Sequence, residues 1–193
     1  MENTKVDYKN IFYPPGGILI WILIILELIT FSAALIALAV SSKEDPVLFH
    51  QSRLMLNVVY GTVNTLFLLT SGYFMAVAIR NLKQKNIERT LFFIKLAMSG
   101  GVLFLLLKGL EYYQKIEHGI TLGYNTFFNF YWLLTGFHVI HVTVGLVILL
   151  FLLFGIKKKK IHYDILDAEA GAAFWHLCDL IWLLLFPMLY LVL

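Results

Sequence analysis

The chain of 193 residues is 60% hydrophobic and 16% aromatic, with 14% charged residues and a formal net charge of +3. A soluble domain carries roughly a quarter charged residues and could not bury so much apolar surface, so a water-soluble globular fold is excluded. The small positive balance gives no indication of nucleic-acid binding, and the single cysteine, Cys178, excludes an intrachain disulfide and a cysteine-based metal cluster.

The opening segment MENTKVDYKN lacks an apolar core followed by a small-residue cleavage site, so it reads as a polar tail and not as a signal peptide. Pro14-Pro15-Gly16-Gly17 separates that tail from the first apolar run. About 20 apolar residues are needed to cross a bilayer as a helix. Five stretches meet this need, at about 18–40, 57–79, 91–110, 130–154 and 173–193. The segments between them carry charges, Pro, Gly or Asn and read as loops. There is no internal repeat and no room for a soluble domain. The expected fold is all-α: one polytopic membrane domain over residues 1–193 with five transmembrane helices.

With five crossings, the N-terminus and the loops after the second and fourth helices share one side of the membrane. That side holds Lys5, Lys9, Arg80, Lys83, Lys85, Arg89, Lys95 and Lys157 to Lys160, eleven of the fifteen basic residues. The other holds Lys43, Arg53, Lys108 and Lys115. Lys and Arg accumulate in cytoplasmic loops, which predicts the N-terminus inside and the C-terminus outside. The run Lys157-Lys158-Lys159-Lys160 reads as a membrane-proximal stop signal attracted to anionic lipid.

Ionisable groups within a bilayer are costly, face inward and often mark function. Here they are Glu27 in the first helix, Lys108 and Glu111 at the outer end of the third, His138 and His141 in the fourth, and His176 and Asp179 in the fifth. From the helical rise, Glu27 lies about 13 Å, Asp179 about 10 Å and His141 about 21 Å from the cytoplasmic side. Glu27 is flanked by Leu, Ile and Phe. It reads either as a carboxyl that gives or takes a proton or as a neutral acid bonded to a hydroxyl; Thr70, Ser71 and Ser99 lie at comparable depth. Lys108 and Glu111, three residues apart, share a helix face.

His138 and His141 also share a face. A haem would need a ligand from a second helix and iron or zinc sites usually add carboxylates, yet Asp179 and His176 lie at other depths. These histidines are therefore expected to join helices by hydrogen bonds, with Gly136 and Gly145 permitting close approach; an intramembrane haem or metal protein is the alternative. Trp175, Asp179 and Trp182 fall on one stripe of the last helix. Asp179 is expected to accept from an indole N–H or from a histidine on another subunit. Pro187 near the outer end removes a backbone donor and can bend the helix.

Four stretches resemble subunit III of the haem-copper oxidases, the family that serves cytochrome c and quinol oxidases. They are Trp21 to Phe31 around Glu27, Glu111-Tyr112, Gly136-Phe137-His138-Val139-Ile140-His141-Val142 with Gly145, and Trp175-His176-Leu177-Cys178-Asp179-Leu180-Ile181-Trp182 with Phe186. The resemblance implies an accessory subunit of a bacterial respiratory terminal oxidase, in the cytoplasmic (inner) membrane. It implies direct contact with subunit I, a complex that includes subunit II, and no haem or copper in this chain, those cofactors belonging to the partner subunits. Bound phospholipid and support of proton uptake during O2 reduction are further implications. The family's buried glutamate corresponds to Glu27, its paired histidines to His138 and His141, and its closing motif to Trp175, His176, Asp179 and Trp182. The chain reads as a five-helix form, in which the lipid cleft of the seven-helix form would need its second wall from another subunit. Pro14-Pro15-Gly16 and Lys108-Gly-Leu-Glu111-Tyr112 are also similar to an accessory protein of nitric oxide reductases, the second reading.

Overall fold

The computed structural model describes residues 16–158 and 165–192. Among these, the order is α1 (Ile18–Glu44), α2 (Pro46–Leu54), α3 (Val58–Lys83), α4 (Ile87–Glu117), α5 (Thr126–Lys158) and α6 (Ile165–Pro187), the last continuing as a π-helical turn over Met188–Val192. No strand occurs among the described residues, so the fold is all-helical. Five helices are long and apolar enough to cross a membrane: α1, α3, α4, α5 and α6 with its π-turn. Lys5, Lys9, Pro14, Pro15, Lys159, Lys160 and Leu193 lie outside the described residues.

Each span is longer than its apolar run, because helix geometry continues past the hydrocarbon wherever polar side chains find partners. The largest correction is at α6, which begins at Ile165 and not near 173. Its first turns carry Asp167 and Glu169, and the buried Glu169 meets Lys83 of α3 at 2.6 Å. At the other end, α4 runs to Glu117 and not to 110. Lys108 and Glu111, read as lying at the outer boundary, therefore sit well inside a continuous helix.

Helix α2 lies in a segment whose composition predicts a loop. Its signal is local: Asp45 is the N-cap, its Oδ1 accepting from the Leu48 amide at 3.0 Å, and Pro46 follows at the first helical position, where a missing N–H costs nothing. The short helix packs Phe49 edge-on against Phe127 of α5 at 5.6 Å. Its Arg53 donates to the Leu191 carbonyl at 3.0 Å.

Asparagines start α3, α4 and α5. Asn57 caps α3 through Val59 N–H at 3.0 Å, Asn86 caps α4 through Arg89 N–H at 3.3 Å, and Asn125 caps α5 through Phe128 N–H at 2.8 Å. Helix α4 ends with Gly119 at φ 71°. Ile120 N–H reaches back to Lys115 O at 2.9 Å and Gly119 N–H to Ile116 O at 3.0 Å, the pair of bonds that a left-handed residue after a helix allows. The same two bonds close α3 at Lys85, φ 60°, without a glycine.

Helices α3 and α4 form an antiparallel hairpin. Their backbones come close at Gly100, where an added Cβ would lie 2.8 Å from Ser71 Cβ and 2.9 Å from Phe67 O. Helix α6 packs against α1, α3 and α5 and supplies the largest side chains of the core, Trp175 and Trp182, both wholly buried.

Candidate functional site

Besides the Lys83–Glu169 pair, three sets of polar groups meet in the bundle interior, at different depths along α6. The first lies towards the α4–α5 connection. Lys108 and Glu111 of α4 are each 1% exposed and meet at 2.9 Å. Lys108 Nζ also donates to Tyr190 Oη of the π-turn at 2.8 Å and to Tyr131 Oη of α5 at 3.1 Å. Tyr190 donates to Glu111 Oε1 at 2.7 Å. Aromatic faces complete the cage, with the ammonium 4.7 Å from the Tyr131 ring centre and 5.3 Å from that of Trp182. A buried ion pair is tolerable only when its remaining donors and acceptors are satisfied, and here three helices satisfy them. The spacing of Lys108 and Glu111 was legible in sequence; the two tyrosines, 23 and 82 residues away from Lys108, were not.

The second set is a tryptophan seam. Trp175 Nε1 donates to Ser71 Oγ at 2.9 Å, and Ser71 donates to the Ala97 carbonyl at 2.6 Å. Trp182 Nε1 donates to Thr65 Oγ1 at 2.9 Å. The expectation that Asp179 accepts from an indole is therefore corrected: both indole N–H groups point to α3 hydroxyls. The Trp175 ring is wedged between α4 and α5, where a Cβ at Gly145 would lie 2.8 Å from it and one at Gly101 closer still. Gly136, by contrast, has nothing near its missing Cβ, so close approach occurs at Gly145 and not at Gly136.

His138 stacks on Trp182 with ring centres 5.3 Å apart and meets the edge of Phe104 at 5.5 Å. Neither ring nitrogen of His138 has a hydrogen-bond partner among the described residues, so the expected hydrogen-bonded bridge between helices fails here. Its role in the packing is that of a flat aromatic.

The third set joins α1, α5 and α6. His141 Nε2 lies 3.3 Å from Glu27 Oε2, and His141 Nδ1 lies 2.8 Å from the Phe137 carbonyl. This corrects the hydroxyl reading for Glu27: Thr70 and Ser99 bond their own helix carbonyls, and Ser71 serves Trp175. A carbonyl only accepts, so Nδ1 carries a hydrogen; in this dyad Nε2 and Glu27 Oε2 are in close approach, and Oε2 is buried without a hydrogen-bond partner among the described residues. Glu27→Gln is expected to leave the amount of inserted chain unchanged, because the amide keeps the shape and polarity of the side chain beside His141; Glu27→Leu is expected to lower it. Immunoblotting of membranes checks both.

Below the dyad, His176 Nδ1 lies 3.5 Å from Asp179 Oδ2, and Asp179 presses against Gly72 of α3 so closely that no Cβ fits there. The other Asp179 oxygen, Oδ1, is buried without a hydrogen-bond partner among the described residues. The His176 side chain is 45% exposed. No group of three or more His, Cys, Asp or Glu is placed to hold a metal ion among the described residues: His141 is committed to Glu27, His138 to Trp182, and His176 faces outward. Sequence reasoning missed Tyr131, Tyr190 and Thr65 and set Ser71 beside Glu27 instead of Trp175; these roles arise only from contacts between distant segments.

A sequence profile described as cytochrome c oxidase subunit III matches residues 46–192. The chain is 31% identical over 144 residues to a probable cytochrome c oxidase subunit 3 of Mycobacterium leprae, covering 71% of this chain and 68% of that protein. It is 27% identical over 173 residues to the cytochrome bo(3) ubiquinol oxidase subunit 3 of Buchnera aphidicola, covering 89% and 84% respectively. Against the cytochrome c oxidase subunit 3 of Synechocystis it is 34% identical over 138 residues, covering 67% of this chain and 55% of that longer protein. The profile match takes in α2 to α6, with the Lys108 cage, the tryptophan seam and His141, while Glu27 lies ahead of it. The chain belongs to the cytochrome c oxidase subunit III family, an accessory subunit of the haem-copper oxidases.

Proposed function

We infer that this chain packs directly against the haem-bearing subunit I of a bacterial terminal oxidase, with subunit II in the same complex, and itself carries no redox centre. It sits in the cytoplasmic membrane as one domain with the N-terminus inside, the orientation favoured by its eleven-to-four split of basic residues. Phospholipid binds along its apolar flanks. Sequence likeness to subunits of both cytochrome c and ubiquinol oxidases supports the assembly role without choosing the electron donor.

The observation that carries the interface is His176. Ala173, His176, Leu180, Leu183 and Leu184 form the open stripe of α6, and in this stripe His176 is the one polar side chain. An imidazole turned to acyl chains, backed by a carboxylate oxygen without a donor, costs several kcal/mol in hydrocarbon. A partner helix carrying a donor removes that cost. The small Ala173 in the same stripe permits such a helix to come near.

His176→Leu is the discriminating variant. Leucine suits lipid as well as imidazole does or better, so the inserted chain is expected at its normal level. Copurification with haem-containing subunits in mild detergent is expected to fall several-fold. Unchanged copurification would place the interface elsewhere and leave His176 facing lipid.

A further inference from the structure

We propose that the end of the bundle around the α4–α5 connection holds a binding site for a phosphate-type oxyanion, gripped by Lys115. A cavity of about 270 Å³ opens there, lined among others by Asn57, Tyr60, Glu111, Gln114, Lys115 and His118. Lys115 is only 7% exposed. Among the described residues its one hydrogen-bond acceptor is the Met55 carbonyl at 3.0 Å, and no carboxylate lies within ion-pair distance of it. A buried ammonium with uncommitted donors is costly until an anion meets it.

The charge count is uneven. Two buried lysines, Lys108 and Lys115, accompany one buried carboxylate, Glu111, and Glu111 is already engaged by Lys108 and by the Tyr190 hydroxyl. Lys115 faces the cavity beside Glu111, whose carboxylate, held by Lys108 and Tyr190, attracts it from beyond ion-pair distance. The neutral lining also offers donors. Gln114 Nε2 donates to Tyr60 Oη at 3.1 Å, which leaves the Tyr60 hydroxyl hydrogen free to donate. Asn57 spends its side-chain oxygen on the cap of α3, which leaves its NH2 available. His118 Nδ1 is tied to the Gln114 carbonyl at 2.6 Å. The first turn of α3 begins beside the cavity at Val58, and its positive end adds to the field. A tetrahedral oxyanion with several acceptor oxygens matches this arrangement in charge, donor number and size. The site lies at a helix end, within reach of lipid headgroups and of free phosphate alike, and makes no use of the His176 face.

The test uses the intact complex purified into phosphate-free detergent buffer and, separately, into nanodiscs of phosphatidylcholine with or without phosphatidylglycerol. Inorganic phosphate is the probe in the first arm, read as a rise in thermal midpoint. Native mass spectrometry for retained phosphatidylglycerol is the readout in the second. Binding in the first arm identifies a free-anion site and retention only in the second a headgroup site. In whichever arm is positive, Lys115→Met is expected to weaken binding about tenfold or more, and Tyr60→Phe to weaken it less. No binding in either arm overturns the proposal, as does binding undiminished in Lys115→Met. Should that variant not accumulate, undiminished binding in Tyr60→Phe overturns it.

Discussion

Glu111→Leu is expected to be the most damaging single substitution in the chain, costing about 3–5 kcal/mol, the range for stripping one partner from a buried pair. Lys108 has no route to solvent at 1% exposure, so its ammonium would be left with two phenol oxygens and ring faces as its whole environment. The Tyr190 hydroxyl would at the same time lose the carboxylate it donates to. Loss of the membrane-inserted, protease-resistant chain is the measurement. The informative companion is Lys108→Met combined with Glu111→Leu. Replacing a whole buried pair by apolar groups of similar volume is often neutral or better, so the double variant is expected to recover most of the lost chain. Failure of that recovery would mean that the pair serves the fold by fixing the π-turn and not merely by avoiding a bare charge.

Trp175→Ala comes second. It removes a wholly buried indole that fills the space between Gly101 and Gly145 and bonds Ser71, and large-to-small changes of this kind cost about 3–5 kcal/mol. Gly145→Val attacks the same contact from the other side, forcing side-chain atoms into a ring that would already lie 2.8 Å from a bare Cβ; overpacking costs roughly 1–3 kcal/mol or more. Their combination should be less harmful than the sum, because the valine then enters the space the indole vacated. Thermal midpoints of the detergent-solubilised complex, with all four proteins compared, check the non-additivity.

Much of this architecture could be read from the residues in order. Long apolar runs placed five helices, since hydrocarbon thickness sets their length. The Lys108–Glu111 spacing predicted a shared face, and the Trp175–Trp182 stripe predicted a packed seam. What escaped depends on which helices become neighbours. Nothing local to Tyr190 says that its hydroxyl will sit between Lys108 and Glu111, and nothing local to Ser71 or Thr65 marks them as indole acceptors 104 and 117 residues before the donors. Depth arithmetic placed Glu27 and His141 at different levels when each was measured from its own helix end, yet they touch. Counting along separate helix axes gives no information on how those helices are staggered or tilted against one another. Asp45-Pro46, by comparison, was a local signal for α2.

The central position of α6 has a consequence for biogenesis. The four longer helices that precede it leave the ribosome first, yet both indole N–H bonds, the Tyr190 hydroxyl and the partner of Lys83 all arrive with residues 165–192. Until that segment is inserted, Lys108 and Glu111 lack their third partner and the glycine-lined gap between α4 and α5 has nothing in it. Chains arrested before Ile165 should therefore be recognised by membrane quality control as unfinished, so insertion of α6 is the step that commits these helices to their structure.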